Sequence, residues 1–380
     1  MSSVRRVYLD NNATTPVDPR VLEEMLPYFN EKFGNAASRN HAFGWEAEES
    51  VQHAREQVAH VIGANPKEII FTSGATESNN LAIKGVAQRN AENGNHIITC
   101  STEHKAVLDP ANRLQESGLD VTYLNVNSEG LIDLAELERA ITDQTILITI
   151  MYANNETGVI QPIEEISQVA KRHNVIFMTD ATQAVGKIPV DVKNLDVDLM
   201  SFSSHKLYGP KGVGVLYVRS KVKLAAQIEG GGHERGMRSG TLNVPGIVGM
   251  GKACELCSSE MQEEERRLRP LRDKLEEAVL KISRTNRNGH SSERLAHVSN
   301  ISLEDVDGEK LLLSLHEIAV SQGSACTSAT FEPSHVLRAM GISDELAFST
   351  LRFGLGRFTT EEEIDFVIEK IEMAVSQLRK

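Results

Sequence analysis

The chain reads Ser201-Phe202-Ser203-Ser204-His205-Lys206-Leu207-Tyr208-Gly209-Pro210-Lys211-Gly212 between two short apolar runs, residues 197–202 and 213–218. Short runs rich in β-branched residues are typical of buried strands, so the stretch predicts a loop that leaves one strand and enters another. Lys206 lies in the middle of this loop. The chemical role of Lys206 then depends on which residues the neighbouring strands place beside this loop.

Four further strand-like runs precede the loop, at residues 68–72, 96–100, 145–152 and 175–179. Helical patterns separate several of them. One such pattern steps by three and four residues and therefore occupies one helical face: Ala47, Val51, Ala54, Val58 and Val61. Strands connected through helices predict an α/β fold with a mostly parallel central sheet flanked by helices on both faces.

The last third of the chain lacks this alternation. Residues 261–282 form a charged amphipathic pattern, in which Pro270 either bends a helix or marks its start, and strand-like segments follow at residues 298–303 and 318–322. Thr359 and Glu362 have capping-box spacing and predict the start of a terminal helix. Its apolar stripe comprises Ile364, Val367, Ile368, Ile371, Val375 and Leu378. We therefore expect two domains, a large α/β domain over residues 16–260 and a small α+β domain over residues 1–15 and 261–380.

Composition narrows the class of protein. Acidic residues outnumber basic residues by 53 to 40, a formal charge of −13, which argues against a dedicated nucleic-acid binder. The longest apolar stretches, such as residues 146–153, fall well short of the ~20 residues that a membrane span needs. The N-terminus has no apolar segment typical of a secretion signal, and four cysteines are too few for a disulfide scaffold. We expect a cytoplasmic protein that binds neither nucleic acid nor membrane stably.

Several predicted strands are followed directly by polar residues. Because ligands of parallel sheets bind beyond the carboxyl ends of the strands, these residues are expected to share one crevice. After residues 68–72 comes Ser-Gly-Ala-Thr-Glu-Ser-Asn-Asn, which is either a phosphate cup at a helix N-terminus or an ordinary helix cap by Ser73 or Thr76. The other strands are followed by Glu103, His104, Asn154, Asn155, Asp180 and Gln183. Each of these alone is more typical of a capping or solvated residue.

Together, the lysine, an aspartate from a neighbouring strand and a phosphate cup favour one cofactor. Pyridoxal phosphate (PLP) requires a lysine for its aldehyde, an acid for its pyridine nitrogen and donors for its phosphate. Lys206, Asp180 and the segment after Thr72 supply these groups. The alternative for Lys206 is a solvated loop residue.

Two cysteine segments differ in their surroundings. Cys326 lies in Gly-Ser-Ala-Cys-Thr-Ser after a strand-like run, where small neighbours favour an exposed reactive thiol over a buried one. Cys254 and Cys257 form a lone Cys-x-x-Cys in a helical segment with no second pair at zinc spacing. These two are predicted to be packed in the core.

Taken in order, these segments resemble the PLP-dependent cysteine desulfurases of the NifS/IscS type, in the class V aminotransferase family. The similarity extends from Tyr-Leu-Asp-Asn-Asn-Ala-Thr-Thr-Pro at residues 8–16 to Arg-Phe-Gly-Leu-Gly-Arg-Phe at residues 352–358. Residues 230–242, Gly-Gly-Gly-His-Glu-Arg-Gly-Met-Arg-Ser-Gly-Thr-Leu, look closest to the IscS branch.

The resemblance implies a fold-type I PLP enzyme that is a homodimer with its sites at the subunit interface. It implies that Lys206 binds the cofactor aldehyde, that Asp180 pairs with the pyridine nitrogen and that His104 stacks on the ring and shuttles protons. Gln183 would reach the ring hydroxyl, Asn155 the cofactor or substrate, and Arg352 the substrate carboxylate. The phosphate would be held by Ala75, Thr76, Ser203 and His205, with Thr241 from the other subunit.

The resemblance further implies that L-cysteine is converted to L-alanine while Cys326 takes the sulfur as a persulfide. Acceptors would serve iron–sulfur cluster assembly or tRNA thiolation. No metal is implied in the resting enzyme, although Cys326 could contact a cluster on a partner. Selenocysteine lyase, transaminase and a catalytically silent scaffold protein stay open as alternatives.

Three positions depart from the family pattern. Gly34-Asn35-Ala36 stands where Gly-Asn-Pro is usual, and Phe348 replaces a histidine, which would alter proton transfer or access. The sequence ends at Lys380, whereas IscS-type members carry a further extension that docks the iron–sulfur scaffold protein. Docking of that scaffold is therefore the least supported of the implied partnerships.

Overall fold

The computed structural model describes residues 6–322 and 332–379. Its strands are β1 (Val7–Tyr8), β2 (Ile69–Thr72), β3 (His96–Cys100), β4 (Asp120–Leu124), β5 (Thr145–Thr149), β6 (Ile176–Asp180), β7 (Leu199–Ser203), β8 (Gly214–Val218), β9 (Thr285–Arg287), β10 (Val298–Leu303), β11 (Ile318–Ala319) and β12 (Thr350–Gly354). Its helices are α1 (Pro19–Met25), α2 (Pro27–Asn30), α3 (Ala42–Val61), α4 (Ala75–Arg89), α5 (Lys105–Glu116), α6 (Leu134–Ala140), α7 (Ile163–Arg172), α8 (Val244–Leu280), α9 (Gly308–Ser314), α10 (His335–Ala339), α11 (Asp344–Phe348) and α12 (Glu361–Leu378).

A seven-stranded sheet forms the centre of the larger part. Its order is β2-β8-β7-β6-β5-β3-β4. β8 pairs antiparallel with both neighbours, and the remaining pairs are parallel. β2, β3, β5, β7 and β8 are buried along their whole length, as expected of strands covered on both faces. The predicted α/β fold with a mostly parallel sheet is confirmed.

Helices cover both faces of this sheet with two separate hydrophobic clusters. α3 and α8 pack together on one side, where Val51 and Val58 meet Cys254 and Cys257 in the larger cluster. On the other side, α4 brings Leu81 and Ile83 against the sheet. The predicted burial of the α3 stripe and of the Cys-x-x-Cys pair is thus confirmed, apart from Val61, which is only partly buried.

The two ends of the chain meet in a third cluster. The antiparallel sheet β12-β10-β9 and the parallel pair β1-β11 belong to this part, and α12 packs its apolar stripe onto it. Asp10 bridges to Gly354, which joins the N-terminal segment to β12. Val7 and Leu9, from the first ten residues, are therefore buried in the hydrophobic cluster of the last third of the chain. The division into two domains stays a prediction, which these separate clusters support.

Two details of the C-terminal prediction are wrong. The helix predicted at residues 261–282 begins at Val244, 17 residues earlier, and Pro270 lies inside it rather than at its start. The small residues of its first part, such as Gly249 and Gly251, do not produce the apolar periodicity that the prediction relied on. The domain boundary predicted after residue 260 falls inside this helix.

The capping box of the terminal helix is displaced by one residue. Thr360 accepts a hydrogen bond from the backbone of Glu363, whose side chain accepts one from Thr360 N. Thr359 instead accepts a hydrogen bond from Gly356 N over 2.9 Å. Because two threonines and three glutamates are consecutive, the sequence allows a capping box from either Thr359 or Thr360. The contact of Thr359 with Gly356 leaves Thr360 to cap the helix. Among the helices of the described residues, none is both long and apolar enough to cross a lipid bilayer.

Candidate active site

A cavity of about 580 Å³ opens where β5, β6 and β7 end and α4 and α5 begin. The crevice predicted at this edge is therefore present. Ten residues proposed from sequence line it: Ala75, Thr76, His104, Asn155, Asp180, Gln183, Ser203, His205, Lys206 and Arg352. Sequence segments up to 277 residues apart thus share one cavity.

Lys206 ends a short 3₁₀ turn, Ser204–Lys206, that follows β7. Its ammonium group donates hydrogen bonds to the carbonyl oxygens of Asn12 and Ala13, the latter over 2.6 Å. Burial and the nearby Arg352 lower the pKa of Lys206 to about 8. The lysine is therefore not a solvated loop residue. An appreciable fraction carries a free, nucleophilic amine near neutral pH.

Asp180 ends β6 and is held by two donors. The side-chain amide of Asn79 donates to Oδ2 over 2.7 Å, and Thr182 N donates to Oδ1 over 3.0 Å. Ser201 Oγ donates to Asn79 Oδ1 over 2.5 Å, which turns the Asn79 amide nitrogen toward the carboxylate. These two hydrogen bonds fix the orientation of the Asp180 carboxylate beside the cavity.

His104 caps the N-terminus of α5 and has a defined orientation. Its Nδ1 accepts a hydrogen bond from Ala106 N over 3.0 Å, so the proton of a neutral ring resides on Nε2. Burial lowers the pKa of His104, and the Lys206 charge adds to the effect against the opposing pull of Asp180. A neutral imidazole therefore faces the cavity.

The N-terminus of α4 is open toward the cavity. Gly74, with φ +156°, occupies the N-cap position, and no side chain caps the helix. The alternative of an ordinary cap by Ser73 or Thr76 is wrong. Glu77 accepts a hydrogen bond from Ser73 N and pairs with Arg238 over 2.7 Å, so its negative charge is already engaged. The free N–H groups at this helix start can bind an anion.

Arg352 enters the cavity from β12 and is 4% exposed. Its Nη2 pairs with Asp10 Oδ1 over 2.7 Å, and its Nη1 donates to the carbonyl oxygen of Asn155 over 3.2 Å. Its Nε is buried without a partner. A buried, partly unpaired guanidinium is suited to bind a carboxylate.

Asn155 and Gln183 are connected through Asn12. The Asn12 amide donates to the Asn155 carbonyl oxygen over 3.1 Å, and Gln183 Nε2 donates to the Asn12 carbonyl oxygen over 3.0 Å. Asn12 Oδ1 and Thr182 Oγ1, which belong to residues lining the cavity, are buried without a partner. Asn12 Oδ1 faces Gly354, whereas the unpartnered Thr182 Oγ1 is available to a polar occupant of the cavity.

These observations fit PLP. An amine, an oriented carboxylate and an uncapped helix N-terminus lie around one cavity, together with unpartnered polar atoms. Burial and the charges of Lys206 and Lys211 lower the pKa of His205 to about 4, so its ring is a neutral donor or acceptor in the cavity lining. Its Nδ1 lies 3.1 Å from Thr14 Oγ1.

Two sequence-predicted positions, Thr241 and Phe348, do not line this cavity. Thr241 is exposed and outside the cavity lining, and Cys326 lies outside the described residues. Phe348 lines a separate cavity of about 530 Å³ beside Gln322. Its proposed effect on proton transfer or access in the main cavity therefore has no contact to support it.

The sequence did not reveal the residues whose hydrogen bonds hold the site residues in place. Asp10, Asn12 and Asn79 contact Arg352, Lys206 and Asp180 directly, and Ser201 contacts Asn79. Asn79 carried one signal, since it is a polar residue on the otherwise apolar face of α4. Within residues 6–322 and 332–379, no cluster of three or more His, Cys, Asp or Glu side chains could hold a metal ion.

The chain is similar to known proteins over nearly its whole length. Residues 7–367 match the family model Aminotransferase class-V. Cysteine desulfurase IscS of Anaeromyxobacter sp. (strain Fw109-5) is 56% identical, with 98% of this chain and 93% of that protein covered. A solved structure of a NifS-like protein is 43% identical, with a TM-score of 0.92, and the match covers 98% of this chain and 100% of that chain.

A second solved structure, SspA in complex with cysteine, is 40% identical at a TM-score of 0.83, with 93% of this chain and all of that chain covered. Enzymes of this group depend on PLP, in agreement with the residues around the cavity. The chain belongs to the class V aminotransferase family and, within it, to the IscS-type cysteine desulfurases.

Proposed function

We propose that this chain is a PLP-dependent cysteine desulfurase that converts L-cysteine to L-alanine and takes the sulfur onto Cys326. One observation carries the proposal. An amine with a lowered pKa, an oriented aspartate, an open helix N-terminus and a buried arginine line the same cavity. Similarity to the IscS enzymes supports the choice of substrate.

Each part of PLP has a candidate partner in the cavity. Lys206 would bind the aldehyde, Asp180 the pyridine nitrogen and Gln183 the ring hydroxyl, with His104 against the ring face. The helix start at Ala75 and Thr76, with Ser203 and His205, would hold the phosphate, and Thr241 would come from a second subunit. When bound, PLP withdraws electrons from the substrate Cα and so labilises its proton and the groups on Cβ.

The chain's own groups would orient the substrate and move its protons. Arg352 would bind the carboxylate of cysteine, with Asn155 beside it, and so fix the direction of the Cα–H bond. The uncharged amine of Lys206 would accept the Cα proton and later return a proton to carbon. Nε2–H of His104 would donate a hydrogen bond or a proton at the same face.

Sulfur transfer requires the thiolate of Cys326. The thiolate would attack the sulfur of the bound cysteine, so that an S–S bond forms while the Cβ–S bond breaks. The electron pair of the broken bond remains with carbon, where a proton replaces the sulfur. In sum, L-cysteine and the enzyme thiol give L-alanine and an enzyme persulfide, with no further reductant.

We also propose a cytoplasmic homodimer whose persulfide passes to acceptors for iron–sulfur cluster assembly or tRNA thiolation. The family relationship supports both parts. The large domain would carry the PLP site and the small domain the Cys326 loop, in line with the separate hydrophobic clusters.

The test compares three PLP-loaded proteins, the wild type, Cys326→Ala and Cys100→Ala, with L-cysteine and a reductant. Cys100 is a matched control because it is buried in β3. We expect equal amounts of sulfide and alanine from the wild type and Cys100→Ala, and neither product from Cys326→Ala. Pyruvate from the wild type would point to another PLP reaction, and failure to take up PLP to a silent scaffold protein.

A further inference from the structure

Tyr208 has a strained backbone two residues after Lys206. Its φ is +61°, in the left-handed region, and its side chain is fully buried. A bulky residue adopts this conformation only where its surroundings hold it there, and such residues cluster at functional sites. The contacts of Tyr208 therefore bear on where the Lys206 turn points.

Hydrogen bonds hold Tyr208 at its backbone and at its hydroxyl. Its N–H donates to Thr15 Oγ1 over 2.9 Å, and its carbonyl oxygen accepts from Asp18 N over 2.9 Å. The hydroxyl accepts from Arg357 N over 2.6 Å and lies 3.2 Å from Glu264 Oε1, to which it donates. Four hydrogen bonds thus hold Tyr208 from its backbone and from the end of its side chain.

Charged groups surround the ring. Lys187 Nζ lies 4.3 Å and Arg357 Cζ 4.4 Å from the ring centroid, within the range of cation–π attraction. Glu264 pairs with both cations, over 3.1 Å to Lys187 and 2.9 Å to Arg357. Against the opposing effect of burial, these two cations lower the pKa of Glu264 to about 2. We call Lys187, Glu264 and Arg357 the Tyr208 cage.

The Tyr208 cage connects the large sheet with the segment that follows β12. Lys187 follows β6 in the large sheet, whereas Arg357 follows β12, the strand that carries Arg352. Tyr208 is two residues from Lys206, and Arg357 is five residues from Arg352. The hydrogen bond between the Tyr208 hydroxyl and Arg357 N therefore connects the segment that carries Lys206 with the segment that carries Arg352.

We propose that Tyr208 and its cage are a positioning device that fixes Lys206 relative to Arg352, and so sets the preference for ligands that carry both an amine and a carboxylate. The inference rests on the proposed function, because it assumes that Lys206 holds PLP and that Arg352 binds a carboxylate. Neither Tyr208 nor the cage lines the cavity, so their effect acts through the two site residues.

The test measures binding rather than turnover. L-Alanine and ethylamine, which lacks the carboxylate, are titrated into the PLP-loaded enzyme while the absorbance of bound PLP is followed. In Tyr208→Phe the ring remains and the two hydroxyl contacts are lost. We expect the dissociation constant for L-alanine to rise roughly fivefold, the factor that one hydrogen bond contributes, and that for ethylamine to change less than about twofold.

Tyr28→Phe is the matched control, because it removes a hydroxyl that contacts Ser50 over 3.0 Å outside the cavity, and we expect no change. Glu264→Gln keeps Tyr208 itself and weakens the pairing of Glu264 with Lys187 and Arg357. It should shift the alanine-to-ethylamine ratio in the same direction, and it provides the test if Tyr208→Phe does not fold. Equal losses for both ligands, or an unchanged ratio in both variants, would overturn the proposal.

The wild type separates this inference from the function itself. A wild type that binds L-alanine no more tightly than ethylamine, or that takes up no PLP, refutes the assumed roles of Arg352 or Lys206 and the positioning device with them. A wild type that prefers L-alanine while the variants keep its ratio refutes the positioning device alone.

Discussion

Asp10 and Arg352 form an ion pair beside the lysine of the active site, with 2.7 Å between Oδ1 and Nη2. The two partners affect Lys206 in opposite directions. After burial, Arg352 is the largest cause that lowers the pKa of Lys206, whereas Asp10 raises it. Beside burial, the pair therefore contributes to the fraction of free amine at Lys206, and it fixes the position of Arg352, which we propose to bind the substrate carboxylate.

The apo enzyme should take up PLP with a pH dependence governed by Lys206. Only the uncharged amine attacks an aldehyde, so the rate should rise with pH and reach half its maximum near pH 8, the pKa to which burial and Arg352 lower this lysine. Stopped-flow absorbance between pH 6 and 10 measures this rate. A midpoint near 10.5, the ordinary value of lysine, would contradict the description of the site.

Substitutions in the ion pair should move this midpoint in opposite directions. Asp10→Asn removes a negative charge and should lower it, while Arg352→Gln removes a positive charge and should raise it. Asp133→Asn, at the distant N-cap of α6, is the control and should leave it unchanged. Shifts of the same sign in the two site variants would be inconsistent with this electrostatic arrangement.

Asn79→Ala should weaken PLP binding roughly tenfold, because Asp180 loses a donor and Ser201 is left without its acceptor. Fluorescence titration of the apo enzyme measures the affinity. Asn90→Ala is the control on the same helix, since Asn90 donates to the Val86 carbonyl oxygen at the far end of α4. Equal affinity in Asn79→Ala and Asn90→Ala would show that the Asp180 contact does not matter for the cofactor.

Gly214→Ala should damage the phosphate cup. A Cβ at Gly214 would lie 2.5 Å from the Gly74 backbone, which must then move away from the helix start. We expect weaker binding of inorganic phosphate to the apo enzyme by calorimetry and a stability loss of about 1–3 kcal/mol. Gly118→Ala is the control, because Gly118 has a positive φ of +100° and free space around its Cβ position. This variant should lose stability through backbone strain and keep its affinity for phosphate.

Glu156→Gln should flatten the pH dependence of stability. Glu156 accepts a hydrogen bond from Ser334, and burial raises its pKa from 4.5 to about 7. Between these values the folded state binds a proton that the unfolded state has lost, so stability falls as pH rises, by about 3 kcal/mol for this group. Urea unfolding from pH 5 to 8 should show a smaller decrease in Glu156→Gln. Glu92→Gln, an exposed control, should follow the wild type.

Strand ends and the residues that follow them could be predicted from sequence. The predicted strands at residues 96–100 and 298–303 coincide with β3 and β10, both of which are rich in Ile or Val and buried along their whole length. The edge strand β4 was missed, since its side chains are mostly half-buried and its run is weakly apolar. Lys206 and Asp180 were found because both lie at strand ends.

The supporting residues could not be found in this way. Asp10 and Asn12 acquire their roles only through contacts with β12 and the Lys206 turn, which lie far along the chain. Their chemistry depends on tertiary packing, which has no local pattern. The same holds for the strained conformation of Tyr208.

The meeting of the two chain ends has a consequence for biosynthesis. Asp10 and Arg352 are 342 residues apart in sequence. At the usual 5–20 residues per second, a ribosome needs about 20–70 s to add the residues between them. Until β11 and then β12 are made, the N-terminal segment lacks its strand partners and the cavity lacks Arg352. The cavity is therefore complete only when almost the whole polypeptide has been made, and we expect cofactor loading to occur after that point.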